Sequence, residues 1–338
     1  MKKTQINTAI FRHGLTLINT VKRIWCSEHT LQIIFGILIV MLPQVVANAK
    51  NAPAARDRVE VEAVLEKAPR TNAEPNIRIV FLADVKDHGE NEHDYPLWQK
   101  RWALLLGGKN AVDACETQVN LFGPAVGDYN EFAASRPYAQ VETAWQWPSE
   151  EQFKAADVIV AYCYLKWDPQ RLKQVEQFLS RGGGFVVVHP ATFTKPEPSE
   201  EVAKLFGVGG YKLYRHGLVE LKISDSNNPI CFGLPEKIRF DDETYWPATP
   251  VVDIEVLATS DEKVGKDAND VKPQTIFWTH RYGKGRVFGC VLGHNTWTFD
   301  DPYFRILLLR GMAWAAGESP YHLDLLALRG ASLKDVKE

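Results

Sequence analysis

Cysteine is scarce in this 338-residue chain: there are five, and no two form a CxxC pair. Cys163 and Cys290 fall in apolar, strand-like runs, so Cys115, Cys163, Cys231 and Cys290 are expected as buried free thiols rather than a disulfide framework. No basic stripe is present and the net charge is −3, which excludes a nucleic-acid partner. No HExxH occurs, which excludes a helical zinc-protease motif. Gly207-x-Gly209-Gly210 does not join a strand to a helix, so it is not a dinucleotide fingerprint. The chain has no internal repeat and no long low-complexity tract. With 45% hydrophobic residues it has ample material for a large core.

The first residues have the order of a secretory signal. Lys2, Lys3, Arg12, Lys22 and Arg23 give a basic start, an apolar run follows from Ile33 to Val46, and Ala47-Asn48-Ala49 offers a small-x-small cleavage site. Residues 1–49 are therefore expected to be a signal peptide and the mature chain to be periplasmic or extracellular. An uncleaved segment would be its only membrane attachment. Residues 50–76 read as a linker with one short helix from Asp57 to Lys67, 77–317 as the α/β domain, and 318–338 as a tail.

From Ile77 strands and helices alternate. Ile77–Ala83 is an apolar run suited to a strand covered on both faces. A helix follows near Tyr95–Leu106. Gln118–Phe122 reads as the second strand, Asp157–Cys163 as the third and Phe185–His189 as the fourth. Asp168-Pro169 opens a helix that Gly182–Gly184 end, and Ser199 caps another. This rhythm predicts a mainly parallel sheet with helices on both faces. In the second half Leu218–Ile223 alternates like a half-buried strand. Gln274–Arg281 and Arg286–Leu292 flank a turn and predict a β-hairpin. Asp301 caps a last helix, Pro302–Ala316.

The loop after the first strand carries Asp87-His88-Gly89-Glu90-Asn91-Glu92-His93-Asp94. Loops after strand C-termini line the ligand crevice of open α/β sheets, and imidazoles beside carboxylates bind metals or move protons. His189 and His294 end other strands. His216 reads as a loop residue, His280 as a hairpin position and His322 as a tail residue. Asp241-Asp242-Glu243 precede Tyr245 and Trp246. A run of three acids is usually solvated; beside aromatics it suits a polyol. Trp98, Trp102, Trp246 and Trp297 fall near these loops, where flat rings suit sugar C–H faces.

Several stretches resemble the ThuA-like family of the class I glutamine-amidotransferase-like superfamily. They are His88-Gly89-x-x-Glu92-His93, Gly182-Gly183-Gly184-Phe185-Val186-Val187-Val188-His189, Asn228-Pro229-Ile230 with Gly233-Leu234-Pro235, Asp242-Glu243-x-Tyr245, Tyr282-Gly283-Lys284-Gly285-Arg286-Val287-Phe288, Leu292-Gly293-His294, Trp297, and Gly311-x-Ala313-Trp314-Ala315. The resemblance spans residues 77–317. It implies a flavodoxin-like fold and, because the family is named for trehalose utilisation, a place in carbohydrate metabolism. The superfamily's nucleophile elbow, Gly-x-Cys-x-Gly, is replaced here by Ala161-Tyr162-Cys163-Tyr164-Leu165. The glycines that permit the strained turn are missing, which argues against glutaminase activity.

The resulting expectation is a sugar-active hydrolase or isomerase with a small carbohydrate as its partner. Its catalytic candidates are His88, His93, His189, Glu243 and His294, and its substrate-binding candidates are Trp98, Asp242, Tyr245, Trp246 and Trp297. A divalent metal such as zinc would sit on His88, Glu92 and His93. Two chemistries stay open, acid/base catalysis and metal assistance, beside a non-catalytic sugar-binding or assembly module on the same crevice.

Overall fold

The computed structural model describes residues 52–69, 77–108, 111, 134–194, 198–267 and 269–335. The expected signal segment and the strand expected at Gln118–Phe122 lie outside these residues.

A short strand, β1 (Arg56–Asp57), leads into α1 (Arg58–Lys67), capped by the Asp57 carboxylate on Val59 N–H. The alternating region gives β2 (Arg78–Ala83), α2 (Tyr95–Gly107), β3 (Gln140–Trp145), α3 (Glu150–Ala155), β4 (Val158–Ala161), α4 (Pro169–Ser180), β5 (Gly184–Val188) and α5 (Ser199–Phe206). Four long strands follow: β6 (Tyr211–Ile223), β7 (Lys237–Ala248), β8 (Ile254–Lys263) and β9 (Val271–Tyr282). Then come β10 (Gly285–Cys290), α6 (Pro302–Ala315) and a final β11 (Leu333–Lys334). The predicted caps Asp168 and Asp301 accept from backbone N–H groups of their helices. Ser199 is instead the first helical residue; Pro198 holds the cap position, with no side-chain bond.

The nine-stranded sheet runs β3-β2-β4-β5-β10-β9-β8-β6-β7. Its first five strands pair in parallel and the rest antiparallel. The expected mainly parallel sheet is therefore corrected: the antiparallel ladders join the longest strands, and the sheet is mostly antiparallel. A parallel pair needs a crossover, usually a helix. No helix lies between Phe206 and the turn at Thr296 among the described residues, so the chain returns by turns. The predicted hairpin of β9 and β10 forms, with Tyr282 opposite Gly285.

Helices cover both faces of the parallel half. On β5 successive residues point to opposite faces. A side chain at Gly184 would strike the Ala315 carbonyl of α6, whereas Phe185 packs on Phe178 of α4 and Phe206 of α5. Trp98 of α2 meets Phe81 of β2 and Phe299, which also packs on Phe304 of α6. Thus α2 and α6 share one face.

Residues 52–69 and 318–335 belong to the same compact unit as the domain. Val61 and Val64 of α1 are buried, as are Leu323 and Leu326. β1 pairs in parallel with β11. The buried Arg310 guanidinium grips Asp324 at 2.8 Å and donates to the Phe232 carbonyl at 2.6 Å. The described cysteines, Cys163, Cys231 and Cys290, are buried and free.

Candidate functional site

Four buried side chains converge where the parallel strands end: His93 from the loop after β2, His189 just past β5, Glu243 from β7 and His294 from the loop after β10. One donor atom from each lies within 4.8 Å of all the others. Nε2 of His189 is 2.9 Å from Nε2 of His93, and Nδ1 of His294 is 3.0 Å from the same His93 atom. The Glu243 carboxylate reaches His294 Nδ1 at 3.0 Å and His189 Nε2 at 3.3 Å.

Backbone geometry aims these groups. His93 has φ 45° and His189 has φ 50°, left-handed conformations that cost a non-glycine residue on the order of 1–3 kcal/mol each. His93 N–H donates to the His294 carbonyl at 2.9 Å, and Glu92 bridges Asn295, so the two loops are tied together. The fully buried Asp242 carboxylate accepts from Gly293 N–H at 3.0 Å and His294 N–H at 2.9 Å, fixing the turn that presents His294.

The tautomers follow from the partners. Nδ1 of His189 faces the Val291 carbonyl at 2.7 Å. Nδ1 of His93 faces the Asp87 carboxylate at 2.9 Å. Both acceptors lack a proton to give, so both Nδ1 atoms carry hydrogen, which leaves the neutral His93 ring a lone pair on Nε2. Burial pushes His93 down to about 3, against the opposing bond to Asp87, so that ring is neutral near pH 7. Burial alone would raise the Glu243 carboxyl, but bonds from His189 and His294 hold it well below the usual carboxylate range. Burial lowers His294, and the Glu243 bond and charge more than reverse this, so it lies above the usual histidine value. Three imidazoles and an ionised carboxylate, aimed at one point, form a group able to bind a metal. A tetrahedral zinc shell spaces its ligands about 3.3 Å apart, close to the separations found here.

The sequence candidates divide. His93, His189, His294 and Glu243 meet in the cluster. Tyr245 joins them through its hydroxyl, 3.1 Å from Glu243 and 2.9 Å from His189 Nε2. His88 is half-buried at the rim, its ring 3.7 Å from that of His93. Glu92 lies 3.4 Å from the far nitrogen of His294. Of the expected metal set only His93 belongs to the buried four; a second, shallower group is Asp87, His88 and His93. The other four substrate-binding candidates are engaged as follows. Trp98 is buried against Phe81, Tyr162 and Phe299. Trp246 and Trp297 spend their indole N–H groups on the Lys263 and Asp241 carbonyls, and Asp242 is spent on the His294 turn. Trp98 and Trp246 are buried and Trp297 is half-buried.

His216 lies in β6, not in a loop, with Nε2 3.6 Å from Glu243. Cross-strand partners share a face. Tyr214 opposes Tyr245 and His216 opposes Glu243, so β6 lays an exposed Tyr214 and His216 beside the cluster. Asp87, which bonds His88, His93 and Tyr95, was legible only as one acid among several. Cys163 is fully buried, and burial pushes its thiol well above its ordinary range.

A ThuA-like protein from Bacteroides uniformis matches with a TM-score of 0.52 at 17% identity, over 75% of this chain and 98% of that one. A ThuA-like protein from Parabacteroides merdae gives 0.48 at 19%, over 72% and 92%. No curated protein matches in sequence. The family model described as ThuA, trehalose utilisation, matches residues 116–315, more than half of the sequence, and the chain belongs to that family.

Proposed function

We propose that this ThuA family member is a carbohydrate-active protein whose His93, His189, His294 and Glu243 hold one divalent cation of the zinc class. The carrying observation is that His93, His189, His294 and Glu243 each bring one donor atom to within 4.8 Å of all the others. Such an ion, when bound, is a Lewis acid for a sugar hydroxyl or carbonyl oxygen.

The remaining groups are placed for orientation and proton handling. Tyr245 holds Glu243 through its hydroxyl. His88, Glu92 and His216 stand at the rim, where a hydroxyl-bearing ring meets imidazole and carboxylate together. Exposed Tyr214 offers a flat face beside them. Acid/base work on a sugar or oxidised sugar is the reaction class this favours.

Metal analysis of the purified chain tests the reading. One equivalent of a divalent metal is expected, and a His93→Ala/His189→Ala variant should lose it. A metal-free native protein that also refuses added zinc overturns it. We further propose export, from the basic–apolar–Ala47-x-Ala49 order. N-terminal sequencing from the native host should start near Lys50; an intact Met1 in the cytoplasm refutes it.

A further inference from the structure

One carboxylate serves two histidines. Asp87 Oδ1 lies 2.8 Å from Nδ1 of His88 and 2.9 Å from Nδ1 of His93. The Tyr95 hydroxyl donates to the same carboxylate at 3.0 and 3.1 Å. Tyr95 is itself buried, which fixes that third donor in place. An ionised carboxylate only accepts, and the Tyr95 hydroxyl, 2.8 Å from His93 Nδ1, gives its single proton to Asp87, so both imidazoles present Nδ1–H there.

We propose that Asp87 is the positioning residue of this site, fixing the Nδ1–H tautomer of both rings at once. The consequence differs between them. For His93 the remaining lone pair, on Nε2, points into the cluster with His189 and His294. For His88 the remaining lone pair, also on Nε2, belongs to a ring that is 38% exposed and lies tilted against His93, centroids 3.7 Å apart. His88 is thereby a hydrogen-bond acceptor at the mouth of the cluster, with the chemistry to receive the hydroxyl of a polyhydroxylated ligand. One anion thus prepares an inner ligand and an outer acceptor.

The geometry excludes the simpler account in which Asp87 only pins its loop. Loop pinning needs one bond, and Lys86 already supplies loop ties to the Glu92 carbonyl and to Asp94. A second observation agrees: His189, the other Nε2 donor, has its own Nδ1–H held by a backbone carbonyl. Each donor ring that turns Nε2 inward therefore has an outer acceptor, the arrangement that orients imidazoles around metals.

The inference rests on the metal reading only for its inner half, and the test separates the two. Long-range nitrogen–proton NMR of the full chain without metal should show both His88 and His93 as Nδ1–H tautomers. In Asp87→Asn, whose amide cannot accept from both, at least one ring should switch to Nε2–H. Zinc affinity, measured by chelator competition with zinc alone, should fall about 10–100-fold in Asp87→Asn, while Asp87→Glu should restore part of it. Nε2–H tautomers in the wild-type chain, or unchanged tautomers and zinc affinity in a folded Asp87→Asn, overturn the proposal. A wild-type chain that binds no zinc refutes the metal reading, and the tautomers then decide the role of Asp87 alone.

Discussion

His93 and His189 stand 96 residues apart in sequence, yet their Nε2 atoms lie 2.9 Å from each other. Each sits at a positive φ, and each ring is anchored from behind through Nδ1. Two left-handed backbones are unfavourable by themselves, and such strain persists at sites where function requires it.

The first prediction follows from linkage. Zinc at about one hundred times its Kd should stabilise the folded chain by about 2.7 kcal/mol, a rise in Tm of roughly 5–10 °C. In His189→Ala the rise should vanish. Thermal melts with and without zinc measure it, and an equal shift in the variant would contradict the assigned ligand.

Asp242 is predicted to matter for stability as well as for the site. Its buried carboxylate satisfies the N–H groups of Gly293, His294 and Glu243. Asp242→Ala leaves these donors unpaired and should cost on the order of 3 kcal/mol in urea denaturation. A cost below about 0.5 kcal/mol, the level of an ordinary surface change, would show the turn to be held otherwise.

The thiols should be inert in the native chain. Burial pushes Cys231 up to about 12, and raises Cys163 and Cys290 well above the ordinary thiol range. Only the thiolate reacts, so iodoacetamide near neutral pH should leave all three unlabelled until guanidinium unfolds the chain. Cys163→Ala should retain its zinc content. Rapid native labelling of Cys163, or loss of zinc in that variant, would restore it as a site residue.

The C-terminal segment should be indispensable. Asp324→Ala leaves the Arg310 guanidinium buried without its partner, an uncompensated charge that costs about 3–5 kcal/mol. Removing residues 318–338 should be at least as damaging. The double change Arg310→Met/Asp324→Leu should recover most of the loss. A truncated chain as stable as the full one would return these residues to the status of a tail.

Elements set by local rules were legible. Asp168-Pro169 and Asp301-Pro302 read as helix starts because a carboxylate cap and a fixed proline φ are properties of two adjacent residues. The apolar run 77–83 read as a covered strand for a similar reason. The second half resisted. Strand β7 carries Asp241, Asp242 and Glu243, a run that reads as solvated surface, yet Asp242 and Glu243 are buried because His294, Tyr245 and two backbone N–H groups compensate them. Gly293 and His294 lie in the loop after β10, far along the chain from β7, so no window of sequence contains them.

The sequence by itself determined the alternation of elements, the absence of a nucleophile elbow around Cys163, and the placing of histidines at strand ends. Each depends on residues within a few positions of one another. Only the tertiary structure decided which histidines share a point in space, that β6 and β7 bring His216 and Glu243 to it, and that residues 56–67 and 320–334 close onto the domain. Those outcomes depend on strand order and on the partners that make a buried charge tolerable, and both are set by contacts between segments far apart in the chain.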